Sequence, residues 1–415
     1  MRRFFAGLWR SPDFVRLWAG QTISLFGSHI GGGALRYTAI LILGATPVQL
    51  SLLSAASLLP ALLLALPAGV WVDRVRRRPV LVAADAGRAL LLLSVPLAFA
   101  LGALRIEQLY LVAALVGALT ILFDTAYPSY VPTVVRRDDL VEANSKLGAS
   151  DSVAEIAGPP LGGLLVQLVS APLAVALNSL SFVASALALR GVRAEEAAPT
   201  PPAERPGARR ELAEGLAAVR ARPALAALLG IAVTQSLAGG VIGTLYDVYL
   251  IRELGLSPAL VGLTIGVGGA AALAGAFLAE PAVRRLGLRP TLAAALLVGW
   301  ASSALIPLAH GAWALWFVVA AQLSDVAGAI FAINAISLRQ SVTPDRLLGR
   351  VNAGFNVLTL GAGLLGALAG GLLGQTLGMR AALGVSVALG AAAVLWLLLM
   401  RAERPEGAPE EQRAV

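Results

Sequence analysis

Long apolar segments, separated by short polar breaks, run along almost the whole chain. Most of them reach or exceed about 20 residues, the length that an α-helix needs to cross the hydrocarbon core of a bilayer. Six segments precede a longer polar stretch near the middle of the chain, and six follow it. The predicted spans are residues 14–43, 48–72, 80–101, 109–131, 143–169, 173–189, 224–250, 258–280, 290–309, 312–338, 348–375 and 379–400. The pattern therefore predicts an all-α membrane protein with twelve transmembrane helices.

The polar stretch between the sixth and seventh spans is rich in proline, glutamate and arginine, which is typical of a linker. It also has room for one short amphipathic helix. The last residues of the chain are polar, and we expect them to be disordered. The predicted organisation is an N-terminal six-helix bundle at 1–190, a linker at 191–222, a C-terminal six-helix bundle at 223–400 and a tail at 401–415.

The two sets of six spans share an internal repeat. A shift of 211 residues places Gly44 and Pro47 on Gly255 and Pro258, and places the Arg-Pro pair at 78–79 on the one at 289–290. A shift of 208 residues aligns an asparagine and three glycines of the fifth and eleventh spans, at 144, 158, 162 and 163 and at 352, 366, 370 and 371. Transporters built from two parallel repeats have this organisation. The repeat predicts two pseudo-symmetric halves that cross the membrane in the same direction.

Composition supports the membrane assignment and excludes several kinds of site. The chain is 58% hydrophobic and 13% charged, against about 25% charged in soluble domains. It has no cysteine and two histidines, which excludes disulfides, thiolate metal sites and a histidine-rich metal site. It also lacks the HExxH, GxSxG and GxxxxGK[ST] motifs, so neither an intramembrane enzyme nor an ATP-driven pump is expected. No metal and no cofactor is expected.

The distribution of basic residues predicts the orientation. Of the 32 basic residues, Arg105, Arg252 and Arg380 lie in the loops from odd to even spans, and Arg36 and Arg88 lie within spans. The others lie in or beside the N-terminus, the even-to-odd loops, the linker and the tail. The positive-inside rule therefore places both termini and the linker in the cytoplasm, in a multi-pass protein of the cell (inner) membrane. The net charge of +8 is a topological signal, and no nucleic-acid partner is expected.

Two motifs resemble those of a known family. The loop after the second span, Gly69 to Pro79, reads GVWVDRVRRRP and resembles the GxxxDRxGRR signature loop of the major facilitator superfamily, with Arg76 in place of the second glycine. The fifth span contains AEIAGPPLGG, which resembles the GxxxGPxxGG motif of the drug/proton antiporters of that superfamily, with Ala154 in place of the first glycine. The resemblance covers essentially the whole chain.

A further resemblance indicates a branch of that superfamily. The run LVEAN that ends at Asn144, and its counterpart GRVN that ends at Asn352, resemble sequences of the exporters that include enterobactin-type siderophore exporters and macrolide-efflux proteins. The resemblance implies the major facilitator fold and export of a drug-like compound or a siderophore by alternating access, in exchange for protons. It does not fix the substrate.

The same resemblance implies roles for the motif residues. In the signature loop it implies a gate at the cytoplasmic side, in which Asp73 pairs with Arg350 across the two halves. The other residues of this predicted gate are Gly69, Arg74, Arg77 and Arg78. The alternative is that these charges only enforce topology.

In the fifth span the resemblance implies that Gly158 and Pro159 seal the interface between the halves. Proline removes a backbone donor and bends the helix, and a face of small residues allows close helix contact. For Gly162 and Gly163 we weigh simple helix packing as the alternative to a role in the motif.

Charged residues inside the predicted spans are the remaining candidates, because an ionised group in a membrane costs a few kcal/mol unless it has water or a partner. Arg36 and Asp247 occupy equivalent places in the first and seventh spans, since they are 211 residues apart. We therefore expect them to interact across the central cavity, as an outer gate, a substrate site, a proton site or a permanent ion pair. His29, seven residues before Arg36, lies on the same helix face.

Further carboxylates are predicted to lie in the substrate and proton cavity. Asp124 and Glu155 are the deeper proton-carrier candidates, whereas Asp151, four residues before Glu155, lies closer to the cytoplasmic surface. Asp325 has two open interpretations, cavity lining or a helix contact. Arg88, one turn after Asp85, is interpreted as a local salt bridge at a helix end.

The function that these observations favour is secondary active export of a small molecule. Import, lipid flipping or uniport on the same fold are the alternatives within transport, and a non-transporting membrane sensor is the alternative of another class. The expected partners are the lipid bilayer, a small-molecule substrate and protons, and the protein is expected to be a monomer.

Overall fold

A computed structural model describes residues 7–196 and 208–399 of the chain. The predicted tail at 401–415 and part of the predicted linker lie outside these described residues. The first half contains α1 to α6. These helices are Pro12–Tyr37, Pro47–Val72, Arg77–Ala100, Ile106–Val134, Leu140–Leu168 and Ala171–Gly191. A helix in the linker, α7, follows at Ala208–Arg220.

The second half has six spans, of which the third and fourth are each divided into two helices. Its helices α8 to α15 are Pro223–Arg252, Pro258–Leu286, Leu288–Ser303, Leu305–Leu308, Ala314–Leu323, Asp325–Val342, Leu348–Thr376 and Met379–Ala392. The predicted spans at 290–309 and 312–338 correspond to Leu288–Leu308 and Gly311–Val342, each of which is long and apolar enough to cross a membrane. Each is interrupted at one residue, Ala304 in the first and Ser324 in the second. At the second break the Ser324 hydroxyl donates to the Ala321 carbonyl at 2.6 Å, which offers the backbone an alternative to the regular helical bond.

The prediction of an all-α membrane protein is confirmed. Within the described residues, ten helical segments are long and apolar enough to cross a membrane. Helices α1 and α5 complete the twelve: α1 packs against α6 and α5, and α5 packs against α9. They are not among the ten, and both carry charged residues along their length. These two spans carry seven of the sixteen candidate residues, namely His29, Arg36, Glu155, Gly158, Pro159, Gly162 and Gly163.

The repeat found in the sequence has a structural basis in how the second helix of each half begins. Gly44 and Gly255 have φ angles of +63° and +67°, which glycine adopts without steric cost, and each ends a connection between two spans. A proline then occupies the first turn of α2 and of α9. Thr46 closes a capping box with Gln49 at the start of α2, with hydrogen bonds of 2.9 and 3.2 Å. The shift of 211 residues in the sequence therefore corresponds to two helices, α2 and α9, that begin in the same way.

We call the end of the bundle that carries α7 and the loop between α2 and α3 the linker end, and the opposite end the far end. The largest cluster of buried apolar side chains lies at the far end and includes residues of both halves, such as Ile40, Leu50, Val166, Leu250 and Val261. At the linker end the buried clusters belong to one half or the other. Apolar packing therefore joins the halves at the far end.

The repeated glycines of α5 and α14 make two kinds of contact. Gly158 and Gly162 lie against His29 and Ile30 of α1, so they pack within the first half. Their counterparts at 366 and 370 pack in the same way against α8 of the second half, at Leu237 and Val241.

The next glycine of each repeat faces the other half. A side chain at Gly163 would meet the backbone of Pro258 in α9, and one at Gly371 would meet Ser51 and the Pro47 carbonyl of α2. Gly262 of α9 lies in turn against the Pro159 carbonyl. These two close contacts, which we call the α5–α9 and α2–α14 seams, hold the halves together where only backbone fits.

We predict that Gly371→Val opens the far end, because its side chain would overlap Ser51 and the backbone of α2 at a cost of about 1–3 kcal/mol. The native chain has no cysteine, so spin labels can be attached at Arg105→Cys and Gln375→Cys across the far end. The distance between the labels should increase and the melting temperature should fall. Gly361→Val is the matched control on the same helix, since a Cβ there meets no atom within 4 Å. An equal response in both variants would contradict the seam.

Candidate functional site

The candidate site is built around an ion pair between the two halves. Nε of Arg36, at the end of α1, lies 3.3 Å from Oδ2 of Asp247 in α8. The same guanidinium donates to the Gly243 carbonyl at 3.1 Å. The Asp247 side chain is 7% exposed and that of Arg36 is 40% exposed, so the carboxylate is buried while the guanidinium also borders open space. The two residues that the repeat placed in equivalent positions are therefore in direct contact.

A second arginine bridges the halves close by, and the sequence interpretation missed it. Arg252, the last residue of α8, donates to the carbonyls of Ala45 and Ile40 at 2.8 and 3.0 Å. Residues Thr38–Ile42, which follow α1, form a π-helical turn. In the sequence Arg252 was noted only as one of the three basic residues in the loops from odd to even spans. Because basic residues are rare in those loops, its presence there was the available signal that it has a partner.

A cavity of about 420 Å³ lies directly below this closure, toward the linker end. Its walls come from α1, α2, α8 and α14, and thus from both halves. Arg36 lines it together with Ser54, Ser57 and Thr244. Its volume is in the range of pockets that take drug-sized ligands, about 300–1,000 Å³. Arg36 therefore belongs to both the closure and the cavity wall.

The other predicted cavity residues lie apart from this pair. His29 Nε2 is 3.7 Å from Asp151 Oδ1, which links α1 to α5 within the first half. Glu155 is exposed, and its backbone lies beside Gly269 of α9 at the α5–α9 seam. Asp124 is also exposed, on α4. The structure does not bring His29, Glu155 and Asp124 into contact with one another.

Asp325 is the first residue of α13, at the break in the tenth span. Its carboxylate lies against Gly268 of α9, beside Gln322. Of the two sequence interpretations, the structure combines both: Asp325 borders a neighbouring helix and lines a cavity within the second half.

The pair of Asp85 and Arg88 is local, as predicted, but it does not lie at a helix end. Both side chains are buried between α3, α4 and α6, with 0% and 5% exposure, and they contact each other directly. The guanidinium also lies 3.4 Å from the Thr120 hydroxyl and over the rings of Phe123 and Phe182, at 4.5 and 4.2 Å. This enclosure could not be predicted from the sequence, because its walls come from helices that are distant along the chain.

At the linker end, the residues of the predicted gate do not meet. Arg350 pairs instead with Glu214 of α7, with Nη1 and Oε2 2.5 Å apart. Asp73 ends α2 with a backbone bond to Gly69. Every hydrogen bond and ion pair that the structure describes between 12–191 and 223–399 lies at the far end. In this conformation no described ion pair joins Asp73 to Arg350.

The arginines of the signature loop are also held by other groups. The carboxylate of Glu196, which is 7% exposed, accepts from the backbone N–H of Arg77 and Arg78 at 2.6 and 3.2 Å and pairs with the Arg77 side chain. Arg78 donates to the carbonyls of Leu189 and Arg190, at 3.0 Å for the first. Arg74 is exposed. Sequence patterns could not identify Glu196 or Glu214, because linker carboxylates carry no distinguishing motif.

Comparison with known proteins identifies relatives of this chain. The family model described as Major Facilitator Superfamily matches residues 17–239 and 228–415. The uncharacterized MFS-type transporter YfiS of Bacillus subtilis is 28% identical over 377 residues, which is 89% of this chain and 88% of that protein. The multidrug efflux pump Tap of Mycobacterium tuberculosis is 33% identical over 174 residues, covering 40% of this chain and 42% of the pump.

Among solved structures, a bacterial homologue of the iron transporter ferroportin has the same fold. In its inward-facing state it is 22% identical to this chain, with a TM-score of 0.76 over 95% of this chain and 100% of that one. In its outward-facing state the TM-score is 0.57, with 23% identity over 93% and 98% of the two chains. The arrangement of the helices is thus more similar to the first state than to the second.

We predict that breaking the Arg36–Asp247 pair opens the far end, because either single change leaves a charge unpaired inside the bundle. Asp247→Asn and Arg36→Gln should each lengthen the distance between spin labels at Arg105→Cys and Gln375→Cys. The exchanged double variant, Arg36→Asp with Asp247→Arg, should return toward the wild-type distance. Asp138→Asn, in an exposed loop at the linker end, is the control. Unchanged distances in both single variants would show that the pair does not hold the far end closed.

Proposed function

The chain belongs to the Major Facilitator Superfamily of membrane transporters, and we propose that it is a secondary active exporter of a small, drug-like molecule in exchange for protons. The observation that carries this proposal is the Arg36–Asp247 pair, which joins the halves at their closed end and borders the 420 Å³ cavity. A change in the charge of Asp247 or of the cavity beside Arg36 would therefore act directly on the ion pair that joins the halves at the far end. The partial similarity to the efflux pump Tap and the antiporter-like motif of α5 support export.

The proposed orientation places the linker end in the cytoplasm of the cell (inner) membrane, because the arginine-rich loops lie there. The conformation is then inward-facing: closed at the far end by the seams and the two arginine bridges, and open at the linker end. Substrate would enter the cavity from the cytoplasm. Alternating access then requires the far end to open and the linker end to close.

Asp247 is the proposed site where protons act on the closure. Its buried carboxylate holds Arg36, so protonation would remove the negative charge that keeps the guanidinium in place. Glu155, Asp124 and His29 are the proposed carriers of protons between the cavity and the linker end; the first two are exposed, and His29 pairs with Asp151. Once the far end is open, protons from outside would reach Asp247 and favour release of substrate there. After the far end closes again, loss of the proton to the cytoplasm would restore the Arg36–Asp247 pair.

The predicted cytoplasmic gate forms in the other half of the proposed cycle. When the linker end closes, Arg350 would exchange Glu214 for Asp73. The signature-loop residues Arg77 and Arg78 would stay bound to the first half through Glu196 and the carbonyls at the end of α6. The glycine motif of α5 would keep its packing against α1 throughout, because Gly158 and Gly162 lie within one half.

We predict that a pH gradient drives substrate into acidic proteoliposomes containing the purified protein, and that a protonophore abolishes this uptake. The panel should contain a cationic dye, a macrolide and a siderophore. Asp247→Asn and Glu155→Gln should lower gradient-driven uptake by about tenfold or more, a coupling of 1–3 kcal/mol. Exchange of labelled for unlabelled substrate without a gradient should persist in Glu155→Gln.

The outcomes separate the alternative functions. Flux of equal rate with and without the gradient would contradict antiport and indicate a uniporter. Uptake driven by an alkaline lumen would indicate an importer. Movement of labelled lipid between leaflets without flux of the panel would indicate a flippase, and the absence of any flux would favour a sensor.

We also predict that the linker end closes when the far end opens. Cysteines at Arg76→Cys and Gly349→Cys flank the proposed Asp73–Arg350 pair, and a short bismaleimide should cross-link them more in the Asp247→Asn background than in the wild type. Adding Asp73→Asn should reverse this increase, whereas adding Asp138→Asn should not. Equal cross-linking in all four proteins would contradict the gate.

A further inference from the structure

The two halves have corresponding positions inside each bundle, and one of them is filled differently. Helices α3 and α10 begin at residues 77 and 288, and α4 and α13 end at residues 134 and 342. The first pair gives a shift of 211 residues and the second a shift of 208, the same shifts that the repeat shows. Arg88 of α3 therefore corresponds to Gly299 of α10.

The groups that surround Arg88 also have counterparts. In the first half the Arg88 guanidinium contacts Asp85, Thr120 and Phe123. The same shifts place these three on Leu296, Gly328 and Phe331. The second half thus keeps one of the two rings that lie over Arg88, since Phe182 corresponds to Gly390, and it lacks the guanidinium and its carboxylate.

A cavity of about 180 Å³ occupies this place in the second half. All four counterparts line it: Leu296, Gly299, Gly328 and Phe331. A Cβ added at Gly299 would meet no heavy atom within 4 Å, so the space beside it is open. The cavity is the position that a guanidinium fills in the other half.

A carboxylate is present in this cavity, supplied from a different position. Asp325 lines it, together with Gln235 and Ser303. No described hydrogen bond or ion pair within 7–196 and 208–399 engages the Asp325 side chain. Its counterpart in the first half is Gly117, and the residue it faces, Gly268, is the counterpart of Ser57. The carboxylate is therefore on the third span in the first half and on the fourth span in the second, and among the described residues no cation pairs with Asp325.

We propose that this cavity binds the cationic headgroup, a guanidinium or an ammonium, of the transported molecule. Asp325 supplies the counter-charge, and the face of Phe331 takes the place that the Phe123 ring has over Arg88. The volume is smaller than a site for a whole drug-sized ligand, so it holds a headgroup and not the entire molecule. This assignment of substrate class rests on the proposed function as an exporter.

The headgroup site has a route to the linker end. A second cavity of about 240 Å³ shares Gln235, Gly328 and Phe331 with it and continues between α8, α13 and α14 as far as Arg339. Arg339 stacks on Phe355 at 4.6 Å. The rest of a bound molecule would lie in this second cavity, with its cation pointing to Asp325.

The test is a binding measurement on the purified full-length protein in nanodiscs. The probe is benzylguanidinium, and benzylurea is its neutral isostere. The wild type should bind the cation and not the urea. Asp325→Asn should bind the cation at least about 30-fold more weakly, because the bound cation loses the carboxylate that pairs with it in the cavity. Asp138→Asn, in a loop, should bind it as the wild type does.

Gly299→Arg provides an independent test, because it would place a side-chain guanidinium in the cavity as Arg88 does in the first half. It should abolish probe binding while preserving or raising the melting temperature. Adding Asp325→Asn to Gly299→Arg should lower the melting temperature by leaving the new charge unpaired, and the uncharged Gly299→Met should show no such dependence on Asp325.

The outcomes distinguish this inference from the proposed function. Absence of binding by the wild type, or binding that is unchanged in both Asp325→Asn and Gly299→Arg, would overturn the headgroup site. Probe binding that follows the prediction supports the site even where the proteoliposomes show no proton-driven flux, a result that would overturn only the exporter. Proton-driven efflux of cations that is insensitive to Asp325→Asn would overturn the site and leave the exporter intact.

Discussion

An ionised side chain inside a membrane needs a partner or water, and the arrangement of this protein depends on how it meets that requirement. The N-terminal half neutralises Arg88 internally with Asp85 and encloses it between aromatic rings. Arg36 is neutralised across the halves, by Asp247. The first solution stabilises one bundle permanently. The second places one buried carboxylate at the contact between the bundles, and the proposed transport cycle depends on its charge.

The repeat explains why closely related glycines have different roles. Gly158, Gly162 and their counterparts bring α5 and α14 against the first helix of their own half, whereas Gly163 and Gly371 face the opposite half. A helix with small residues on two adjacent faces can belong firmly to one bundle and still approach the other closely. The repeat places this arrangement at two positions, so two seams, α5–α9 and α2–α14, hold the halves together.

Much of this organisation could be predicted from the sequence. The number of spans followed from hydropathy. The Arg36–Asp247 contact followed from the repeat, because corresponding helices begin 211 residues apart and residues at that separation therefore occupy equivalent positions. The partners of Arg350 could not be predicted, since they depend on which end of the bundle is open. The enclosure of Arg88 and the breaks at Ala304 and Ser324 were also missed, because they arise from residues on neighbouring helices and from local hydrogen bonding that hydropathy does not detect.

The position of the seams along the helices determines how far the linker end of a helix moves when that helix tilts. The α5–α9 seam extends from Gly163 to Glu155, which is 15 residues from the start of α5 at Leu140 and corresponds to about 23 Å of helix. If the seam acts as a fulcrum, a tilt of about 10° displaces the other end of α5 by about 4 Å. Small adjustments at backbone contacts near the far end are therefore amplified at the linker end, so the mouth of the cavity can open widely while the glycine contacts barely slide.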